Sequence, residues 1–265
     1  MSVTLTYDST LARVRVSATV GGTVAYAVVD RSVNGIRWTT IRGGDHLAPA
    51  GGVVASNDYE FPPGVAITYR VRGYSDAGVL LSTETAVITA VIERVWLKSV
   101  ARPFLNRPVT VLDRPQVSRK NRGGLFEIKG RSLPIVVSEV RGPAEWELRV
   151  RTDSPAQTRA LELLLAVGDV LYVQVPDDYD DVPGGYVSVG TTGRRRLSAL
   201  PGDRRQVWAL PMTEVAPPGP DVVGATVTWQ SLLAEFGTWA DVLAFFATWA
   251  DVLEYVADPE TVIVP

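Results

Sequence analysis

Two clusters of like charge carry most of the chemistry this sequence offers. Asp177-Asp178-Tyr179-Asp180-Asp181 packs four carboxylates into five residues, and Arg194-Arg195-Arg196 with Arg204-Arg205 sets five guanidiniums a short way downstream. A calcium loop needs oxygen ligands at alternating positions around a Gly-made turn, and this spacing does not match it. A glycosidase needs two acids held about 5 to 10 Å apart, and nothing singles out such a pair among 29 acidic residues. The arginines could touch nucleic acid, but they lack the interleaved aromatics on which bases stack; arginines simply solvated on a hairpin are the plainer reading. A third use joins the two clusters. In a ring built from one heterologous contact, a patch on one subunit complements a different patch on its neighbour, and an acidic loop with a basic hairpin supplies such a pair. Asp177, Asp178, Asp180, Asp181, Arg194, Arg195, Arg196, Arg204 and Arg205 are therefore expected at a subunit interface. No catalytic residue, metal ligand or cofactor is expected.

Other reactive residue types are scarce. Cysteine is absent, which removes disulfides, thiol nucleophiles and thiolate metal sites. The single histidine, His46, lies in a Gly-rich loop and is expected to be solvated there; paired-His metal sites are excluded, and any Ser-His-Asp triad would have to use this residue. The net charge of −3 creates no global field toward nucleic acid, so no sequence-specific binding is expected. With 46% hydrophobic and 21% charged residues the chain is globular, and its 265 residues suffice for two ordinary domains. No apolar run reaches the roughly 20 residues that cross a bilayer, and the first eight residues lack a basic segment and a signal-peptide core. The expectation is synthesis in a cytoplasm, without membrane insertion.

The elements that position these residues centre on 130–215. Glu145–Arg151 alternates apolar Trp146, Leu148 and Val150 with charged neighbours, the period of a half-buried strand. Ser154-Pro155-Ala156-Gln157 then offers an N-cap, a proline where no amide hydrogen is missed, and a glutamine that closes a capping box. Ala160, Leu161, Leu164 and Leu165 follow at helical spacing, and Gly168 can end the helix in a left-handed turn. Strands resume at Val170–Val175, Tyr186–Val189 and Arg205–Leu210, the last leading on to Val215. The predicted core is a sheet with one helix laid across it.

Residues 1–92 show no helical period. Short strands over 3–7, 12–20, 24–30, 36–41, 66–74 and 79–90 alternate with the turn signals Gly21-Gly22, Asn34-Gly35, Gly43-Gly44, Pro62-Pro63-Gly64 and Asp76-Ala77-Gly78. That spacing predicts an antiparallel β-sandwich, with Trp38 expected at its centre. Tyr26–Trp38, with its Arg-Ser strand end, Asn-Gly turn and Trp strand, followed by Phe61–Arg72 with its Pro-Gly turn and Tyr69-Arg70-Val71, resembles a fibronectin type III domain. Such domains serve as spacers and binding modules.

Glu93–Val100 continues as a strand with no Gly/Ser linker, so the two domains are expected in a fixed relation. Ala101–Asp113, interrupted by Pro103 and Pro108, reads as an extended arm that lies against something else. Taken with Lys129–Val137, the strand and helix of 145–167, Gly185–Gly190 and Trp208–Val215, it resembles the minor tail proteins of long-tailed, siphovirus-type bacteriophages and prophages of actinobacteria. Their central domain is similar to the distal tail protein, which forms a ring joining tail tube to tip. The resemblance implies a non-enzymatic structural protein of the virion tail tip. It further implies a homohexameric ring that contacts the tail tube protein, the tape measure and the tip or hub proteins. It also implies a mainly β fold: a fibronectin III-like sandwich over 1–92, a distal-tail or tail-tube-like sandwich or split barrel with one packed helix over 93–216, and a C-terminal segment. The distal tail family often carries a carbohydrate-binding domain after its core, whereas here the extra sandwich comes first. A carbohydrate-binding or adhesin-type module at a bacterial surface is the alternative.

Over 217–265, after the break Ala216-Pro217-Pro218-Gly219-Pro220, Thr228–Leu233, Thr238–Leu243 and Thr248–Leu253 recur at a spacing of ten. Ten residues of continuous helix advance about 1000°, so a Trp stripe would slip about 80° per copy. Three short capped helices are expected instead, with Thr as the cap in the last two. Trp229, Trp239 and Trp249 with Leu233, Leu243 and Leu253 are expected either to cover the chain's own sandwich or to dock on a partner.

Overall fold

The computed structural model describes residues 1–130, 132–137, 140–179, 181–200 and 202–219, together with Thr238, Ala240, Leu243 and Ala244. The fold is mainly β, with one α-helix among the described residues. The first seven strands are β1 (Ser2–Asp8), β2 (Arg13–Thr19), β3 (Tyr26–Ser32), β4 (Thr39–Thr40), β5 (Val53–Asp58), β6 (Ala66–Tyr74) and β7 (Leu80–Thr89). They form two antiparallel sheets, ordered β1-β2-β5 and β4-β3-β6-β7. Alternation builds the interior. Val14, Val16 and Ala18 of β2 meet Ile67, Tyr69 and Val71 of β6 in one hydrophobic cluster that also holds Phe61.

Two expectations fail here. Trp38 is only half-buried and lies outside the strand, its ring 4.1 Å from the Arg70 guanidinium. The cause is local. The Asn34 side chain accepts from the amides of Ile36 and Arg37, holding the chain in a turn until Thr39. Phe61 and Tyr69, both fully buried, fill the centre instead. The second failure is β5, absent from the predicted strands because its inward positions include Ser56 and Asp58 and so break the apolar alternation.

The rest of the described chain forms β8 (Val95–Ser99), β9 (Arg107–Val111), β10 (Ser118–Arg119), β11 (Gly124–Phe126), β12 (Ile135–Val137), β13 (Ala144–Thr152), α1 (Pro155–Ala166), β14 (Leu171–Gln174), β15 (Gly185–Val189), β16 (Gly193–Arg196) and β17 (Gln206–Glu214). Their main sheet runs β10-β13-β9-β8-β14-β15-β17-β16, and pairing of β13 with β17 closes six of these strands into a barrel. Trp146 faces Met212, Leu148 faces Leu210 and Val150 faces Trp208 across that closure. Leu161 and Leu164 of α1 complete the second hydrophobic cluster. The expected arm is part of this barrel. After a 3₁₀ turn at Pro103–Leu105, β9 pairs with β8 over 107–109 and with β13 only over 110–111. Pro108, which has no N–H, thus sits where one side needs no donor.

The helix ends follow the sequence signals. The Ser154 hydroxyl accepts from the Gln157 amide at 3.2 Å, and the Gln157 side chain accepts from the Asp153 amide at 2.7 Å. Gly168 adopts φ +69°, which allows the left-handed exit. Replacing Ser154 with Ala leaves the Gln157 amide without that acceptor. The expected outcome is a loss of about 1 kcal/mol in urea-induced unfolding with an unchanged m-value.

Candidate functional site: the junction and the charged clusters

The two hydrophobic clusters meet at β8, all five residues of which are buried. Because strand side chains alternate, Val95 and Leu97 enter the barrel cluster while Trp96 joins the N-terminal one. Lys98 points the same way as Trp96 and is 1% exposed. Its ammonium donates to the carbonyl oxygens of Ala12 and Tyr59 at 2.5 and 2.6 Å and lies 5.2 Å from the Phe61 ring centroid.

Four consecutive residues, 58–61, receive most of these links. Both Asp58 oxygens accept from Arg31, at 2.6 and 2.7 Å; one also accepts from the Glu60 amide and the other from the Tyr69 hydroxyl. Tyr59 supplies its carbonyl to Lys98. Glu60 accepts from Arg42 at 2.8 Å and from the Tyr186 hydroxyl at 2.9 Å, which ties β15 to the N-terminal sheets. Phe61 gives its carbonyl to the Gln174 amide of β14 at 2.5 Å. Arg42 also donates to the carbonyl of Gly219 at 2.7 Å. Close packing joins in as well. Gly64 has φ +78°, and a Cβ there would collide with the Asp177 side chain.

The electrostatics follow from burial. Desolvation pulls the Lys98 ammonium down to about 7, against the opposing pull of Asp58 and Glu60. Burial and then the Glu60 carboxylate push the Tyr186 phenol up to about 12. Burial disfavours the Arg31 charge, but Asp58 outweighs it and the guanidinium is held above its ordinary range. Every carboxylate oxygen of Asp58 and Glu60 is engaged, so the arrangement is built to hold two bodies together. A cleft of about 510 Å³ lies alongside, lined in part by Arg13, Asn57, Tyr59, Phe104 and Tyr172.

The charged clusters predicted at an interface are placed as follows. Asp177 and Asp178 are exposed in the β14–β15 connection; Asp181 pairs with Arg114 at 2.8 Å, and Asp180 lies outside the described residues. Arg194, Arg195 and Arg196 are exposed along β16. Arg194 reaches Glu162 at 3.4 Å and stands 5.2 Å from the Trp208 ring. Arg204 is exposed, and Arg205 pairs with Asp203 at 2.9 Å. No ion pair links the acidic cluster to the basic one within the described chain. His46 sits in its loop at φ +50°, exposed, stacked on Tyr26 and 3.0 Å from Asp45. No group of three or more His, Cys, Asp or Glu side chains converges as for a metal ion among the described residues. Of the C-terminal positions, Trp229, Leu233, Trp239, Trp249 and Leu253 lie outside the described residues; Leu243 is described and is 65% exposed.

Sequence reasoning missed the junction. Its one visible signal is Lys98, a charge set into the apolar strand Val95-Trp96-Leu97 where alternation assigns an interior position. A scan against protein-family models finds no match for this chain, and a search of curated proteins finds none either.

The lowered Lys98 value has a consequence with a definite sign. An unfolded lysine titrates near 10.5, so between about 7 and 10.5 the unfolded chain binds more protons and stability rises with pH. Between pH 7 and 9, before unfolded-state tyrosines ionise, chemical denaturation is expected to show rising stability. A Lys98→Met variant lacks the part of the slope that Lys98 supplies.

Proposed function

We propose that the protein is a ring-forming structural adaptor of a bacteriophage tail tip, joining the tail tube to tip or receptor-binding components. The observation that supports this reading best is the closed six-strand antiparallel barrel with a single helix packed on it, bolted by the 58–61 links to a second β body. Two bodies joined by direct hydrogen bonds, with no Gly/Ser linker between them, suit a part that transmits load between neighbours. The split of seven strands into three and four supports a fibronectin type III-like N-terminal module. The ring is a homohexamer whose neighbours are the tail tube protein, the tape measure and the hub proteins of the same virion. The Trp-rich C-terminal repeats serve as its attachment element.

The heterologous ring contact joins the acidic loop of one copy to the basic strand of the next. Arg195, Arg196, Asp177 and Asp178 suit it best, because they form no ion pair within the described chain. The cleft beside residues 58–61, with its tyrosines and Asn57, favours carbohydrate binding as a second reading; saturable binding of a host-envelope glycan, lost on Tyr172→Ala, is the result that would support it.

Electron microscopy of the tail tip of the encoding phage decides the main reading. A closed ring of six copies is expected, and a strictly three-fold or single-copy density at this level contradicts it. Reversing Arg195 and Arg196 to Glu should weaken ring assembly. Reversing Asp177 and Asp178 to Lys in the same chain should restore it, since exposed pairs worth about 0 to 1 kcal/mol each act only in sum.

A further inference from the structure

The Asn34-Gly35 turn holds a chemistry that the proposed function does not use. Asn34 is exposed, and its side-chain carbonyl oxygen accepts from three donors: the amides of Ile36 and Arg37 at 3.0 and 2.9 Å and the Ser32 hydroxyl at 3.2 Å. The other end of that side chain is free. Its NH₂ group forms no hydrogen bond among the described residues, and neither does the amide of Gly35. Gly35 is exposed at φ +69°, and a Cβ built there would meet no atom within 4 Å, so solvent reaches the amide from an open side.

These groups are the parts of an acyl transfer. The Gly35 nitrogen and the Asn34 Cγ are held together by the chain itself, so their reaction needs no encounter. Attack at Cγ develops negative charge on Oδ1, and donors already aimed at an oxygen stabilise that charge as it forms. Other asparagines lack the combination. Asn57, Asn106 and Asn121 precede Asp58, Arg107 and Arg122, whose side chains crowd the attacking nitrogen. Asn106 is buried besides, and the Asn121 oxygen accepts only from the Gly123 amide.

We infer that Asn34 is a self-modification site, which the folded turn converts through a succinimide to aspartate and isoaspartate. The bond from the Gly35 nitrogen to Cγ forms and the Cγ–Nδ2 bond breaks. The amide proton of Gly35 is given up to solvent base, and Nδ2 leaves as ammonia with a proton from water. Water then opens the ring at either carbonyl. Aspartate keeps an acceptor at the Oδ1 position and adds a negative charge beside Arg37, which forms no ion pair among the described residues. Isoaspartate routes the main chain through Cβ and Cγ, which lengthens it by one carbon and moves the acceptor away from the amides of Ile36 and Arg37. Those two bonds decide where β4 resumes and where Trp38 meets Arg70, so the isoaspartate form releases this corner of the N-terminal sheets. The inference does not depend on the tail-tip reading.

The full-length chain, aged in mildly alkaline buffer and mapped by peptide mass spectrometry with electron-transfer fragmentation, tests this. Conversion is expected at Asn34 alone, faster in the folded chain than in the same chain unfolded in urea. Ser32→Ala, which removes one of the three donors, should slow the folded chain about threefold, the scale of a single hydrogen bond. Trypsin should cut after Arg37 more readily in the aged chain than in fresh Asn34→Asp, which carries the acid on an unaltered main chain. Conversion slower in the folded chain than in urea, earlier loss at another asparagine, a rate indifferent to Ser32→Ala, or equal cleavage of the aged chain and Asn34→Asp would overturn the inference.

Discussion

The structure depends on one constraint: a charged lysine-bearing strand is buried between two hydrophobic clusters, and its polar groups must find partners there. Placing an ammonium in such surroundings costs several kcal/mol unless hydrogen bonds and opposite charge offset it. Lys98 has two carbonyls at 2.5 and 2.6 Å and the carboxylates of Asp58 and Glu60 nearby, and still burial wins, leaving its affinity for the proton near neutrality. The same requirement explains why residues 58–61 are so densely bound. These links connect the barrel to the N-terminal sheets. Arg42 extends this network to the carbonyl of Gly219.

Charge is treated differently at the two levels of the fold. Inside, Asp30, Asp58 and Glu60 are matched by arginines at hydrogen-bonding distance. Outside, Arg195, Arg196, Asp177 and Asp178 are left to solvent. The buried carboxylates are thus matched in charge, whereas these exposed groups form no ion pair among the described residues. In the proposed ring, the basic strand of one copy and the acidic loop of the next are the counterparts.

Local features were legible in the sequence and distant ones were not. The helix declared itself through Ser154, Pro155, Gln157 and Gly168 because caps and turns are decided within a few residues. Ile67, Tyr69 and Val71 alternate without interruption, so the sequence predicts β6 over its full extent. β5 was hidden because Ser56 and Asp58 take interior positions whose partners, Tyr69 and Arg31, come from other strands. Trp38 lies off the core for a similar reason: the Asn34 side chain decides where the strand resumes, and a large ring is no guide to that. The links from Gln174 to Phe61 and from Tyr186 to Glu60 span more than a hundred residues, and no spacing rule reaches so far. The charged clusters were visible as clusters, but their partners Arg114, Glu162 and Asp203 were not.

The central claim is that this subunit closes on itself through a heterologous contact. Native mass spectrometry of the full chain over a rising concentration series measures this most directly. The account predicts a monomer that gives way to one discrete six-copy species with no larger assemblies. A monomer persisting at every concentration, or a two-copy species that grows no further, would contradict it.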